Sequence, residues 1–263
     1  MNVKFIILSA LVGTLLIIAV FAPVLTPFDP YEQNLSNMLS PPDSTHLLGT
    51  DQYGRDLLSR VIMGAQNTIL SSLVIVFVIT VIGTVIGVIC GYFGGKIDAV
   101  LMRISDIFLA FPGMVFAIAV AGVLGGSILN AIIALSCISW PKFARLARAQ
   151  VLTVKDCTFV SAAKLNNCSN IKIMFYHILP NIIGIILITA ILDIGTIIME
   201  IAGLSFLGLG ALPPTAEWGA MMSNGRSMLQ TAPWIILAPG CAIFISVSLF
   251  NIFGDTVRDK FDL

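Results

Sequence analysis

The sequence predicts an all-α protein, a polytopic membrane helical bundle of six transmembrane helices, and three observations carry that expectation. The 263 residues are 57% hydrophobic and only 11% charged, with mean hydropathy +0.99, whereas a soluble domain carries roughly 25% charged residues. Uncharged runs extend over Thr68–Gly95, Ile107–Pro141 and Met228–Gly254. Each is long enough to cross a bilayer, which takes about 20 apolar residues, and the middle one suffices for a tight hairpin of two crossings. The cations are also lopsided: eleven of the fourteen Lys and Arg fall on one side of the resulting topology and Arg55, Arg60 and Arg226 on the other. By the positive-inside rule the richer side, with both termini, is cytoplasmic.

Taken in order, the first expected span is Phe5–Val24. It has one preceding cation, Lys4, and no small-x-small cleavage site after it. It is longer than the ~7–15 apolar residues of a signal peptide, so it reads as an uncleaved helix. The outer segment from Thr26 to Gln66 is rich in Pro and Asx and leads into "LLGTDQYGRDLLSRVIMGA". There Thr50 or Asp51 is expected to cap a short helix along the outer surface, with Asp56 and Arg60 paired at i,i+4. Residues 1–66 thus form one unit and residues 67–263 a core of five further spans.

The second span, Thr68–Tyr92, carries Gly83, Gly87 and Gly91, with Gly95 just beyond, at strict four-residue spacing. One face is bare backbone that admits a neighbouring helix closely, and packing within the bundle accounts for it. The remaining spans are Ile107–Gly125, Ile128–Trp140, Ile182–Ala202 and Trp234–Phe253. Pro112 is expected to kink the third, and Asp106 to pair with nearby Arg103 at the interface. The five cysteines form no C-x-x-C pair, so neither a disulfide framework nor a zinc site is indicated.

"SAAKLNNCSNIKIMFYHILPN", Ser161–Asn181, interrupts this apolar material within a helix-prone cytoplasmic segment, residues 142–180. Asn166-Asn167 is expected to stop one helix, because Asn tolerates the left-handed C-terminal conformation. Ser169 can cap a second, and Pro180 marks its boundary with the next span. Two short helices tethered between spans make a knob that a soluble partner could grip. A passive surface loop is the competing reading, and a DNA-binding helix-turn-helix tied to a bilayer at both ends is not expected.

Ser161-Ala162-Ala163, then Asn167, then Ile178-Leu179-Pro180 resembles the EAA loop of ABC-importer permeases: Glu-Ala-Ala, three residues, Gly, and later an apolar-Leu-Pro ending. Ser161 stands for the Glu and removes an anionic contact; Asn167 stands for the Gly. "LGTDQYGRDLLSRVIMGAQ", "EIAGLSFLGLGALPPTAEWGAMM" and "FISVSLFNIFGDTVRDKFD" extend the resemblance along nearly the whole chain, to the second permease subunit of the dipeptide/oligopeptide/nickel group. The runs "LDIG", "IAGLSFLGLG" and "PTAEWG" look nearest to nickel-type members, which makes nickel, free or chelated, the expected cargo and di- or oligopeptides the alternative.

The resemblance implies the type I ABC importer permease fold in a plasma membrane, paired with a second homologous permease. Two cytoplasmic ATP-binding subunits would dock on the knob, and an extracytoplasmic solute-binding protein would deliver cargo. ATP and Mg2+ would belong to those ATPase partners. The chain itself has no Gly-Lys-Ser/Thr phosphate loop, no cofactor site and no expected nucleic-acid partner.

Ionisable groups at membrane depth default to functional hypotheses. Asp193 and Glu200, seven residues apart, share a face with Thr189 and Thr196. Counted from Ile182, they lie roughly 17 Å and 27 Å along the helix. Asp193 fits a pathway lining or hydrogen-bonded glue between helices; Glu200 fits a pathway mouth, since "SFLGLG" and two prolines follow it. Glu217, Trp218 and Arg226 are the candidates for facing the binding protein. Met199, Met221, Met222 and Met228 are weak metal candidates, and His46 and His177 lie too far apart in the topology to share a site. A secondary transporter would usually show internal repeats, and an intramembrane enzyme a nucleophile–base pair or metal-ligand set; neither is found.

Overall fold

The computed structural model describes residues 3–261, and every regular element longer than a bridge is helical. Helix α1, Val3–Val20, buries only Leu8, Val12 and Ala19 and lies on the outside of the bundle. It ends short of the expected Val24, and a single turn, Ala22–Leu25, follows with Pro23 near its start. Phe5 stacks near Phe253 at 6.1 Å between ring centroids, and the Lys260 ammonium sits 3.6 Å above the Phe5 ring. The first and last long helices therefore begin and finish at the same end of the molecule.

Helix α2 runs unbroken over Leu57–Phe93. The separate surface helix expected before Thr68 is instead its first turns. The cap is Asp56, not Thr50 or Asp51: its carboxylate accepts from the Ser59 N–H at 2.8 Å and the Ser59 hydroxyl at 2.7 Å. At ~1.5 Å per residue this helix is about 55 Å long, well beyond a ~30 Å hydrocarbon layer. Its glycine face meets helix α5, Ile128–Val154. A Cβ on Gly83 would lie 2.5 Å from the Phe143 Cβ, one on Gly91 2.6 Å from the Val151 Cβ, and one on Gly87 would overlap the Ala144 carbonyl oxygen. Gly95 does not share this role; it and Gly94 take φ of +57° and +63° at the turn out of α2.

The third and fourth spans differ from expectation. Helix α3, Gly95–Leu109, and helix α4, Gly113–Leu124, are separated by a bend of 87°. Pro112 sits in that break rather than inside a helix: α3 ends at Leu109 and Pro112 is the N-cap of α4, in keeping with the bias of the residue before a proline away from the helical region. Helix α5 continues past Trp140 to Val154 with Pro141 inside it. Proline costs about 3 kcal/mol in a helix interior, and the close glycine-lined packing on α2 offsets that cost.

Helix α6, Thr158–Leu165, forms the first arm of the knob, and helix α7, Asn170–Phe206, holds the second arm and the next span. Pro180 does not divide them. A π-helical turn, Ile173–Ile178, precedes it; the wider turn accommodates the ring and the missing N–H, so the helix runs on. Helix α8, Trp218–Gly225, is short, and helix α9, Trp234–Phe261, closes the bundle. Among the described residues, four helices are individually long and apolar enough to cross a membrane, or the spans number five if the bent α3–α4 pair is one. This is compatible with the six expected.

Candidate functional site

Three regions concentrate the polar chemistry: the α6–α7 knob, a charged ladder on α5, and the outer loop that opens α2. In the knob, Asn167 takes φ +54°. The Asn167 N–H donates to the Lys164 carbonyl at 3.0 Å and the Cys168 N–H to the Ala163 carbonyl at 3.1 Å. These are the two bonds of a Schellman ending, which requires the left-handed residue where Asn167 stands. Ser169 then caps the next turn, accepting from the Lys172 N–H at 3.4 Å. The knob's inner side buries Val160, Ala163, Ile173 and Ile178, and the Tyr92 hydroxyl at the end of α2 hydrogen-bonds Asn170 at 2.8 Å. Its outer side leaves Ser161, Ala162, Asn167 and Pro180 exposed, together with Leu165 at 85% and Tyr176 at 75% exposure. Leu179 is half-buried. The sequence places the break, and the structure shows a surface left without an intramolecular partner.

On α5, Lys142, Arg145 and Arg148 recur every three residues, and each reaches a carboxylate on another helix. Lys142 Nζ lies 2.5 Å from Asp193 on α7, Arg145 2.6 Å from Asp106 on α3, and Arg148 2.5 Å from Asp98 on α3. One expectation is corrected here: Asp106 pairs with Arg145 rather than Arg103. Asp193, which fits either a pathway lining or glue between helices, is 4% exposed and held by Lys142. Because α5 runs on past Trp140 through Pro141, Lys142 sits within that helix and reaches Asp193, 51 residues away in the chain. The spacing of 142, 145 and 148 on one helix face was readable in advance as a ladder, had the helix been carried through Pro141.

Thr196 is exposed and Glu200 half-buried on the same α7 face as Asp193, and Thr189 satisfies itself by donating to the Ile185 carbonyl at 2.8 Å. Above them α7 ends at "SFLGLG" as expected. The Gly208 N–H bonds the Ser205 carbonyl at 3.0 Å and the Leu209 N–H the Leu204 carbonyl at 2.9 Å, with Gly208 at φ +81°. The knob and the top of α7 thus end by the same motif, once with Asn and once with Gly.

The expected binding-protein face is divided. Arg226 is exposed, but Glu217 and Trp218 are enclosed, at 0% and 2% exposure. Glu217 accepts from the Gly219 and Ala220 N–H groups at 3.0 and 2.9 Å and from the Thr68 hydroxyl at 3.0 Å. Trp218 donates to the Val61 carbonyl at 2.9 Å, and a Cβ on Gly64 would strike its ring at 2.6 Å. Both residues clamp α8 onto α2; neither can meet a partner without α8 leaving its seat. The outer loop is equally self-contained. Asp51 binds Arg55 at 2.7 Å and Arg60 at 3.4 Å, Arg60 donates to the Pro30 carbonyl at 2.9 Å, and Asp56 pairs with His46 at 2.9 Å instead of Arg60. At the exposed edge, the backbone N–H groups of His46 and Thr45 hold the Asp43 carboxyl below its usual range.

Comparison with known proteins decides the family. Residues 83–262 match the family described as binding-protein-dependent transport system inner membrane component. The chain belongs to this family. As a transport permease of this kind it is a polytopic inner-membrane protein and a non-enzymatic subunit of ABC importers. Residues 5–42 also match the N-terminal transmembrane domain of oligopeptide transport permease C. A dipeptide transport system permease protein, DppC, of Alkalihalophilus pseudofirmus is 42% identical over 96% of this chain and 83% of its own length. A probable D,D-dipeptide transport system permease protein, DdpC, of Escherichia coli is 42% identical over 97% and 85%. A glutathione transport system permease protein, GsiD, of Escherichia coli is 43% identical over 94% and 82%. Among solved structures, the inward-facing MetNI methionine ABC transporter matches with TM-score 0.62 and 18% identity, over 77% of this chain and 97% of that one. That likeness concerns the type I importer permease fold alone. The expected nearness to nickel-type members is not supported, because these relatives are named for peptides.

Proposed function

We propose that this permease forms half of the pathway of an ATP-driven importer for dipeptides or similarly short peptides. The observation that carries the reading is 42–43% identity, over nearly the entire chain, to permeases named for dipeptides, D,D-dipeptides and glutathione. Peptide, the alternative weighed from the sequence, therefore replaces nickel as the cargo.

The exposed outer side of the knob, from Ser161 to Tyr176, is the docking point for a cytoplasmic ATPase subunit. Its position supports this: α6 follows α5 directly and α7 is one continuous helix from the knob into the bundle. A displacement of the knob is therefore passed to both flanking helices. A second homologous permease completes the pathway, a solute-binding protein delivers the peptide at the outer end, and both termini lie in the cytoplasm.

The deciding experiment compares uptake of a radiolabelled dipeptide and of nickel in cells with and without this chain. Loss of dipeptide uptake with nickel uptake intact is the expected result. The reverse pattern overturns the peptide assignment.

A further inference from the structure

Asp193 and Glu200 share a helix face yet live in different electrostatic situations. Asp193 is buried and neutralised by Lys142 at 2.5 Å, while the Lys142 side chain remains 52% exposed on its far side. Glu200 is half-buried and forms no hydrogen bond or ion pair to another side chain among the described residues. An acid at this depth without a partner is costly to keep, so a carboxyl group left open there points to something that arrives.

The next observation concerns shape. Met199 and Gly203, which flank Glu200 on α7, line an apolar cavity of about 530 Å³ whose other walls include Phe206, Met222, Phe244 and Val247. The cavity is built between α7, α8 and α9. Its walls offer mainly van der Waals contact, with Ser248 the one polar side chain among them, which suits side chains of varied identity.

The final observation is spacing. Seven helical residues separate Asp193 from Glu200, which is about 10 Å along the axis. A charged amine and a charged carboxylate at the two ends of an extended chain of two or three residues stand roughly 7–11 Å apart. Lys142 is bound on only one side, and its ammonium has three donors. It can share one with an incoming carboxylate without releasing Asp193.

We infer that Glu200 and Lys142 form a two-point site for a zwitterionic short peptide, Glu200 receiving the terminal ammonium and Lys142 the terminal carboxylate, with the adjoining apolar cavity taking a side chain. This rests on the peptide reading above. Asp193 acts here as a positioning residue, holding Lys142 extended along α7.

The test uses the complete transporter, with all subunits, reconstituted in vesicles and supplied with radiolabelled dialanine on the binding protein. Glu200→Gln should lower the uptake rate about tenfold, the size of one hydrogen bond to a charged group, and Glu200→Asp should recover most of it. The paired replacement Lys142→Met with Asp193→Asn, which removes the ion pair without stranding a buried charge, should also lower uptake about tenfold. Unchanged uptake in Glu200→Gln overturns the inference. So does loss of co-purification with the other subunits, since Glu200 would then be an assembly contact. A wild-type complex that imports nickel but no dipeptide overturns the peptide reading instead, and is recognised before any variant is made.

Discussion

The outer loop and the inner knob are the two polar interruptions of an otherwise apolar chain, and they are finished in opposite ways. In the loop, Asp51, Arg55, Arg60 and Asp56 are all buried, and each carboxylate is held within the same subunit, Asp51 by Arg55 and Arg60 and Asp56 by the His46 ring and Ser59. In the knob, the buried side is apolar, and the outer side presents Leu165, Ile171 and Tyr176 to solvent. A sequence motif dense in charge is therefore here a clamp, and a motif with mild polarity keeps an exposed apolar surface, the one proposed above for docking. The difference lies in satisfaction: charges taken out of water must be paired within the fold, whereas an exposed apolar patch gains most from being covered by something else.

The clamp should be the most sensitive place to break. Arg60→Ala removes the donor to the Pro30 carbonyl and leaves the loop's buried acid with one cation fewer. Stripping one partner from a buried pair costs about 3–5 kcal/mol. Loss of folded protein in detergent extracts, read by thermal unfolding or by membrane abundance, is the expected outcome. Wild-type stability in that variant would mean that the loop is as loosely held as the knob's outer face.

A comparable loss is expected where helices touch through bare backbone. The Cβ of Gly219→Ala would overlap the Ala202 carbonyl oxygen and stand 2.6 Å from the Ala202 Cα. Backbone on both sides leaves nothing flexible to yield, so α8 must move off α7. Overpacking of this kind typically costs about 1–3 kcal/mol, and the same thermal measurement checks it.

Asn167 gives a smaller effect with a sharper reading. Val at φ +54° faces a left-handed penalty of about 1–2 kcal/mol, whereas Gly has none. Gly208 already occupies the equivalent place at the end of α7. Asn167→Gly should thus retain peptide uptake and Asn167→Val should depress it at equal abundance, with ATP hydrolysis no longer matched to uptake. Equal transport by both variants would remove the knob's geometry from the mechanism.

How much of this was legible beforehand follows from the range of the interactions. The Schellman ending at Asn167, the Ser169 cap and the glycine face of α2 depend on residues a few positions apart, or on a repeat every four, so the sequence displays them. Pairings across the fold do not display themselves. Asp106 took Arg145, 39 residues away, rather than Arg103 three residues away, because α3 and α5 happen to lie side by side. Glu217 and Trp218 look like surface residues beside two prolines, and only the return of α8 against α2 buries them. Helix ends were the weakest point for a physical reason. Pro112 sits in a break as the N-cap of a helix, Pro141 is carried through one and Pro180 follows a π turn; what distinguishes them is the packing around each ring.

The smallest stability change should come from the knob's exposed side, and it is the one that most cleanly separates the two regions. Leu165 is 85% exposed, so Leu165→Ser removes almost no buried surface, and substitutions at such sites usually stay within about 0.5 kcal/mol. Unfolding of the isolated subunit should be unchanged. If that patch is covered by the ATPase in the assembled importer, the same replacement exposes a polar group to a dry contact, and recovery of the ATPase with a tagged permease should fall severalfold. The clamp variant Arg60→Ala should behave the other way, losing folded subunit while the fraction that survives still recovers its partner. Both variants failing in the same assay would erase the distinction between clamp and docking surface, because it would mean that the knob is held together from within after all.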